Sequence, residues 1–165
     1  MPDHPAPRPS LHVRAATADD MSTVITLVNA AFAIETFLDG TRTDERRIAD
    51  IMQRGEFLVG EDESGHVVAS VYTEIRGERG YFGMLAVDPA RQGEGHGRTM
   101  VLAAEAQARA RGCEWMDIDV LNLRPELPPF YRKLGYVETG TAEFHPSRPL
   151  KAGVECYSVT MSKGL

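Results

Sequence analysis

Residues 90–97, ARQGEGHG, set Gly93, Gly95 and Gly97 at alternate positions among polar side chains. A backbone without Cβ atoms turns tightly and can come close to a ligand. The loop follows the strand-like run LAVD and leads into GRTMVLAAEAQARARG, in which Met100, Val101, Ala104 and Ala108 recur at helical spacing. A glycine loop at such a joint aims free N–H groups and the positive end of a helix dipole at one spot, where phosphate oxygens are the natural occupant. The dipole contributes only ~0.3–1 kcal/mol, against roughly 1.5–3 kcal/mol for each hydrogen bond to a charged group. Converging N–H donors therefore dominate, with Arg91 and Arg98 flanking. A surface turn without a ligand is the plainer alternative. A P-loop would end Gly-Lys-Ser/Thr, whereas this loop ends His96-Gly97-Arg98. A Rossmann fingerprint would carry its third glycine farther along, within a βαβ unit.

Carboxylates are the second chemical feature. WMDID puts Asp117 and Asp119 on one face of a strand whose apolar neighbours predict a central, buried position. An unpaired carboxylate there is costly unless it is used or bonded. Glu74 sits on a preceding hairpin and is a further candidate to face a pocket. Each of these carboxylates has a second reading, as a hydrogen-bonded tie within the sheet or loops. His4, His12, His66, His96 and His145 are scattered, with no helical i,i+4 pair, so the sequence predicts no metal site. His96 is expected to be solvated, and His145 either lines an acceptor site or caps a turn.

These residues need a scaffold, and the pattern supplies one. LHVRAA reads as a strand, and TADD then caps a helix with Met21, Val24, Ile25, Val28 and Phe32 at helical spacing. DERRIADIMQRG reads as a short helix closed by Gly55. EFLVGED and HVVASVYTEI flank the turn ESG as a hairpin, and RGERG leads into a third antiparallel strand, YFGMLAVD. After the glycine loop and its helix, stopped by Gly112, come the strand CEWMDIDV, a short helix in LRPELPPFYRKLG, and the strands YVETG and VECYSVTMS. Antiparallel strands first, then strand, helix and strand, predict an α+β fold with a mixed, mostly antiparallel sheet flanked by helices.

With 165 residues, 42% hydrophobic and 25% charged, the chain suits one domain over 11–165 behind a flexible, proline-rich lead-in at 1–10. A net charge of -6 argues against nucleic acid and acidic membranes as partners and favours a cationic small molecule or peptide. No run approaches the roughly 18 apolar residues of a membrane span. Cys113 and Cys156 show neither zinc nor disulfide spacing and are expected to stay reduced as buried thiols in a cytoplasmic protein.

LAVDPARQGEGHGR resembles the central motif of the GNAT superfamily of acyl-CoA-dependent N-acetyltransferases, with Gln92, Gly95 and Gly97 filling the Gln/Arg-x-x-Gly-x-Gly/Ala pattern. MDIDVLN followed by FYRKLGY is similar to that family's other signature, and the order of elements over residues 11–162 matches as well. The resemblance implies a GNAT-like fold and acetyl transfer from acetyl-CoA to a primary amine, small molecule or peptide, by direct attack in a ternary complex. It implies that the backbone of Leu85, Ala86 and Val87 pairs with the pantetheine arm along a strand edge opened by splaying. It places the pyrophosphate on Gln92, Gly93, Gly95, His96, Gly97 and Arg98, and Asn122 against the pantetheine. The interval from Asn122 to Tyr131 is longer than the family pattern and holds RPELPP.

By the same resemblance Tyr131 protonates the departing thiolate, the phenol's ordinary pKa of ~10 lying close to the ~8.5 of a thiol. Without the motif it reads as one more half-buried aromatic beside Phe130. Asp117 aligns with the family's acidic residue and is, with Glu74, the candidate base, a water relay being the alternative; Tyr81 stands where some relatives carry a glutamate. Residues 32–44 would form the acceptor rim, with Phe32, Glu35, Phe37 and Asp39 offered to a cation. A non-catalytic acyl-CoA-binding module and a nucleotide-phosphate binder are the rival readings. VECYSVTMS, paired between subunits, would give a homodimer.

Overall fold

A computed structural model describes residues 10–146 and 148–165. The lead-in, apart from Ser10, lies outside the described residues. Among the described residues seven strands form one sheet in the order β1-β2-β3-β4-β5-β7-β6. They are β1 (His12–Ala15), β2 (Gly55–Glu61), β3 (Val67–Arg76), β4 (Arg79–Val87), β5 (Trp115–Leu121), β6 (Val137–Glu143) and β7 (Tyr157–Gly164). The β4–β5 pairing is parallel and the other five among the described residues are antiparallel, which makes the sheet mixed and mostly antiparallel, as the element order implied.

The helices are α1 (Met21–Ala31), α2 (Glu45–Ile51), α3 (His96–Ala110) and α4 (Leu127–Lys133). Strand alternation sends side chains to two cores. Val24, Leu27 and Val28 of α1 pack with Phe57, Val59 and Tyr72 on one face. The α3 stripe of Met100, Val101, Ala104 and Ala108 packs with Leu58, Val71, Phe82, Ile118 and Val120 on the other.

Three expectations are corrected. Gly55 does not close α2, which ends at Ile51; it opens β2, where a Cβ would collide with the Thr73 carbonyl oxygen. Cys113 and Cys156 are free thiols that fall just outside the strands, and only Cys113 is buried. β7 begins at Tyr157 and lies between β5 and β6, so both of its edges are already paired and it is closed to pairing between subunits. No helix among the described residues is long and apolar enough to cross a membrane.

The feature that shapes the site is an irregularity in β4. Between the pairs Ser70↔Ala86 and Tyr72↔Gly83 the register slips, so that Met84 and Leu85 together face Val71. Met84 takes φ +50°, the left-handed region that side chains other than glycine rarely adopt. A one-residue bulge turns the following side chains to the opposite face. Phe82 points to the α3 core, and beyond the bulge it is Leu85 and Val87 that do so, while Ala86 turns to the α1 core.

Candidate active site

β4 and β5 pair only from Arg79↔Trp115 to Tyr81↔Asp117. Beyond that point β4 continues to Val87 and β5 to Leu121 without pairing, so the strands splay and β4 leaves an open edge toward the gap. The gap is part of a cleft of about 1150 Å³, somewhat above the roughly 300–1,000 Å³ usual for small-molecule sites. Leu85 and Val87 line it, as do Gln92, Gly93, Gly95, His96, Gly97 and Arg98 at one end.

That end is the start of α3. Gly95 is its N-cap at φ +85° and Gly93 has the same φ, conformations that need glycine. Among the described residues no side chain caps this N-terminus, which leaves the N–H groups of the first turn for a ligand. The loop is held from behind. Arg91 donates to Asp62 (2.9 Å) and to Glu94 (3.0 Å), and His96 Nε2 lies 2.6 Å from the same Glu94 oxygen. Burial opposes the Glu94 charge, yet Arg91 and His96 hold its carboxyl below the usual range. His96 is therefore a buried strut and not the solvated side chain expected, and Arg91 is committed to the loop while Arg98 stays exposed.

Tyr131 lines the middle of the cleft from α4, its ring packed against Phe82, Phe130 and Tyr136 at centroid distances of 6.0, 5.0 and 5.9 Å. Among the described residues its hydroxyl has no hydrogen-bond partner, and burial pushes the phenol well above its ordinary pKa. Such a group stays protonated at neutral pH.

The carboxylates sort differently from expectation. Asp117 does not line the cleft. It accepts from Arg79 Nε (2.6 Å) and Nη2 (2.7 Å) and from the Ser162 hydroxyl (2.6 Å), which locks β4, β5 and β7 at the closed end of the splay. Its carboxyl is held low, first by Arg79. Glu74 also lies outside the cleft, accepting from Arg76 Nε and the Tyr72 hydroxyl, each at 2.8 Å. Asp119, two residues along β5 and past the last β4–β5 pair, does line the cleft without a hydrogen-bond partner among the described residues. Desolvation raises its pKa, Arg76 opposes that, and the charge of Asp117 adds to it. Tyr81 stands beside it with Arg76 4.2 Å from its ring centroid. Asn122 is outside the lining: its oxygen accepts from Tyr157 N–H (2.8 Å), tying the start of β7 to the end of β5.

The opposite end is built by segments the sequence did not connect. Residues 37–39 hydrogen-bond to Pro149 and Lys151, which carries Arg148 to the cleft wall. Glu35 is buried and accepts from Arg148 Nη2 (2.6 Å) and Arg124 Nη1 (3.0 Å). It is thus spoken for by two cations rather than offered to a substrate cation. Phe32 and Arg42 line the cleft beside it, whereas Phe37 and Asp39 do not; His145 does.

A family model described as an acetyltransferase (GNAT) domain matches residues 53–138, from the end of α2 to the start of β6. The chain belongs to the GNAT acetyltransferases. A mycothiol acetyltransferase of Propionibacterium freudenreichii subsp. shermanii is 28% identical over 142 residues, 81% of this chain and 45% of that protein, so the GNAT chain spans less than half the length of this relative. The fold is shared with the ribosomal-protein-alanine N-acetyltransferase from Brucella melitensis (TM-score 0.75, 23% identity, 94% of this chain and 100% of that one). It is shared also with a Bacillus subtilis acetyltransferase solved in complex with CoA (TM-score 0.71, 17% identity, 94% and 99%).

Proposed function

We propose that the protein is an N-acetyltransferase that moves an acetyl group from acetyl-CoA to a primary amine by direct attack in a ternary complex. The observation that carries this reading is the unpaired edge of β4 leading to the uncapped N-terminus of α3, with Tyr131 and Asp119 reaching the same gap. The residues present fit an acyl-CoA. The edge at Leu85, Ala86 and Val87 suits the amides of a pantetheine arm, and the N–H groups at Gly93, Gly95, His96 and Gly97, with Gln92 and Arg98, suit a pyrophosphate. Bound there, acetyl-CoA supplies an activated thioester.

The two reactive side chains approach from opposite faces of the sheet: Tyr131 from the α3 side, and Asp119 from the other, since it alternates with the buried Ile118 and Val120. Asp119 takes the proton the amine loses as its nitrogen bonds to the acyl carbon. Tyr131 gives its phenolic proton to the sulfur as the carbon–sulfur bond breaks. Its raised pKa then draws a proton back from solvent. A cytoplasmic setting suits the two free thiols.

The test is acetyl transfer from labelled acetyl-CoA to a panel of amines and short peptides, read by mass. Acetylation well above the amine-free blank supports the reading. Binding of acetyl-CoA without acetylation of any amine, folded proteins included, would replace it with a non-catalytic acyl-CoA module.

A further inference from the structure

The acceptor end of the cleft is basic where the sequence led us to expect acid. Three guanidinium groups, from Arg42, Arg124 and Arg148, gather around Glu35. Arg124 also reaches Glu126 at the rim (2.6 Å), and Arg148 reaches the Gly40 carbonyl (3.3 Å). Arg42 differs from both. Among the described residues it has no hydrogen bond and no ion pair; its guanidinium carbon lies 5.3 Å from the Phe32 ring centroid, and it feels the charges of Glu35, Tyr81 and Arg148.

A second observation points the same way. Arg148 lines the same wall at 6% exposure, a second guanidinium largely withdrawn from water. Desolvated cations are costly unless an anion completes them. Two such groups on one wall, opposite the end that suits pyrophosphate, describe a half-built anion site. A guanidinium fork matches a carboxylate in plane and spacing.

We propose that Arg42, supported by the cluster of Glu35, Arg124 and Arg148, receives a carboxylate carried by the acceptor, so that the substrates are amines bearing a free carboxylate. This rests on the acetyl-transfer reading above. The Arg42 end fixes the carboxylate, and the amine is left to reach Asp119 in the gap. The division of labour explains why Glu35 is buried between arginines: it holds two of them in place and leaves the third to the ligand.

The test compares paired acceptors, amino acids and the corresponding α-carboxamides, for acetylation by the wild-type protein, with kcat/KM read by mass. The acid is expected to exceed its amide by about 10- to 100-fold, the worth of a charge-assisted hydrogen bond. Arg42→Gln is expected to erase that preference, chiefly through KM, and Arg42→Lys to keep part of it. Equal rates for acid and amide in the wild-type protein, or a preference that survives Arg42→Gln, overturn the carboxylate receptor while acetyl transfer stands. Failure to acetylate every amine, amides and esters included, overturns both. The wild-type comparison decides the matter even if the variants do not fold.

Discussion

Asp117 and Asp119 share one face of β5, yet Arg79 takes only the first, at 2.6 Å, and leaves the second in the cleft wall. The difference is the last parallel pair, Tyr81↔Asp117. Up to that pair β4 can offer a cation across the sheet; beyond it the strands diverge, and among the described residues the Asp119 carboxylate has no hydrogen-bond partner, feeling Arg76 only through its charge.

Replacing Asp119 should therefore injure the reaction and replacing Asp117 the sheet. Asp119→Asn is expected to lower kcat/KM by about 10²- to 10⁴-fold, the usual worth of a positioned base. Asp117→Asn should cost ~1 kcal/mol of stability or less, as its pair with Arg79 is partly exposed, with kcat nearly intact. A base works only when deprotonated, and the Asp119 pKa is raised, so activity should fall with decreasing pH at a value above the ordinary ~3.9. In Asp119→Asn that fall should vanish, leaving only the ionisation of the amine. Steady-state pH profiles of both variants, with urea melts, check this; a normal profile in Asp119→Asn would sink the assignment.

Tyr131→Phe should behave as a clean chemical deletion. The hydroxyl has no partner among the described residues and the ring contacts are those of a phenylalanine, so the melting temperature should barely move. Loss of the proton donor should lower kcat by about 10²- to 10⁴-fold with acetyl-CoA affinity unchanged. Because burial raises the Tyr131 pKa, the wild-type rate should not decline through phenol ionisation until above the ordinary ~10. Stopped-flow acetyl transfer and calorimetric CoA binding separate the two effects.

The glycine loop, the α3 stripe and the tyrosine on α4 were legible because each is local: spacing and residue type within a few positions specify them. What the sequence concealed depends on distant strands. Met84 carries no turn signal, yet its bulge decides which of the residues Leu85 to Val87 face the cleft. Asp117 and Asp119 look alike in pattern, and only the end of the β4–β5 pairing separates them. Glu35 meets Arg148 across 113 positions, so the charge of the acceptor end could not be read from residues 32–44 alone. His96 looked solvated because its partner Glu94 acts only once the loop is folded.

Gly93→Ala isolates the backbone of the loop. A Cβ at Gly93 meets nothing within 4 Å, so the substitution adds no clash and strains only φ +85°. Holding a residue other than glycine there costs ~1–2 kcal/mol. If the loop yields instead, its N–H groups turn away from the ligand. A loop that relaxes when empty must be drawn back to bind, so CoA binding should weaken by about 10-fold, that energy expressed as an affinity, while kcat at saturating acetyl-CoA stays near wild type. Isothermal titration with CoA is the check, and unchanged affinity would remove the loop from the binding site.

Behind Tyr131 a buried network sets the position of α4. Glu105 of α3 is fully buried and accepts from the Tyr136 hydroxyl (2.8 Å) and from Lys163 Nζ (2.9 and 3.1 Å), joining α3 to the turn after α4 and to β7. Removing one partner of such a pair leaves the other charge uncompensated, at a cost of roughly 3–5 kcal/mol. Lys163 keeps some contact with water, its side chain being 21% exposed, which puts Glu105→Ala in the lower part of that range. Glu105→Gln still accepts from Tyr136 and should cost less. Because Tyr136 packs edge-on against Tyr131 at 5.9 Å, loosening it should also let the acid drift. We expect Glu105→Ala to lower kcat well below the unfolding temperature and to lower the urea midpoint in parallel. A midpoint equal to wild type would mean that Lys163 and Tyr136 find water as readily as they find Glu105.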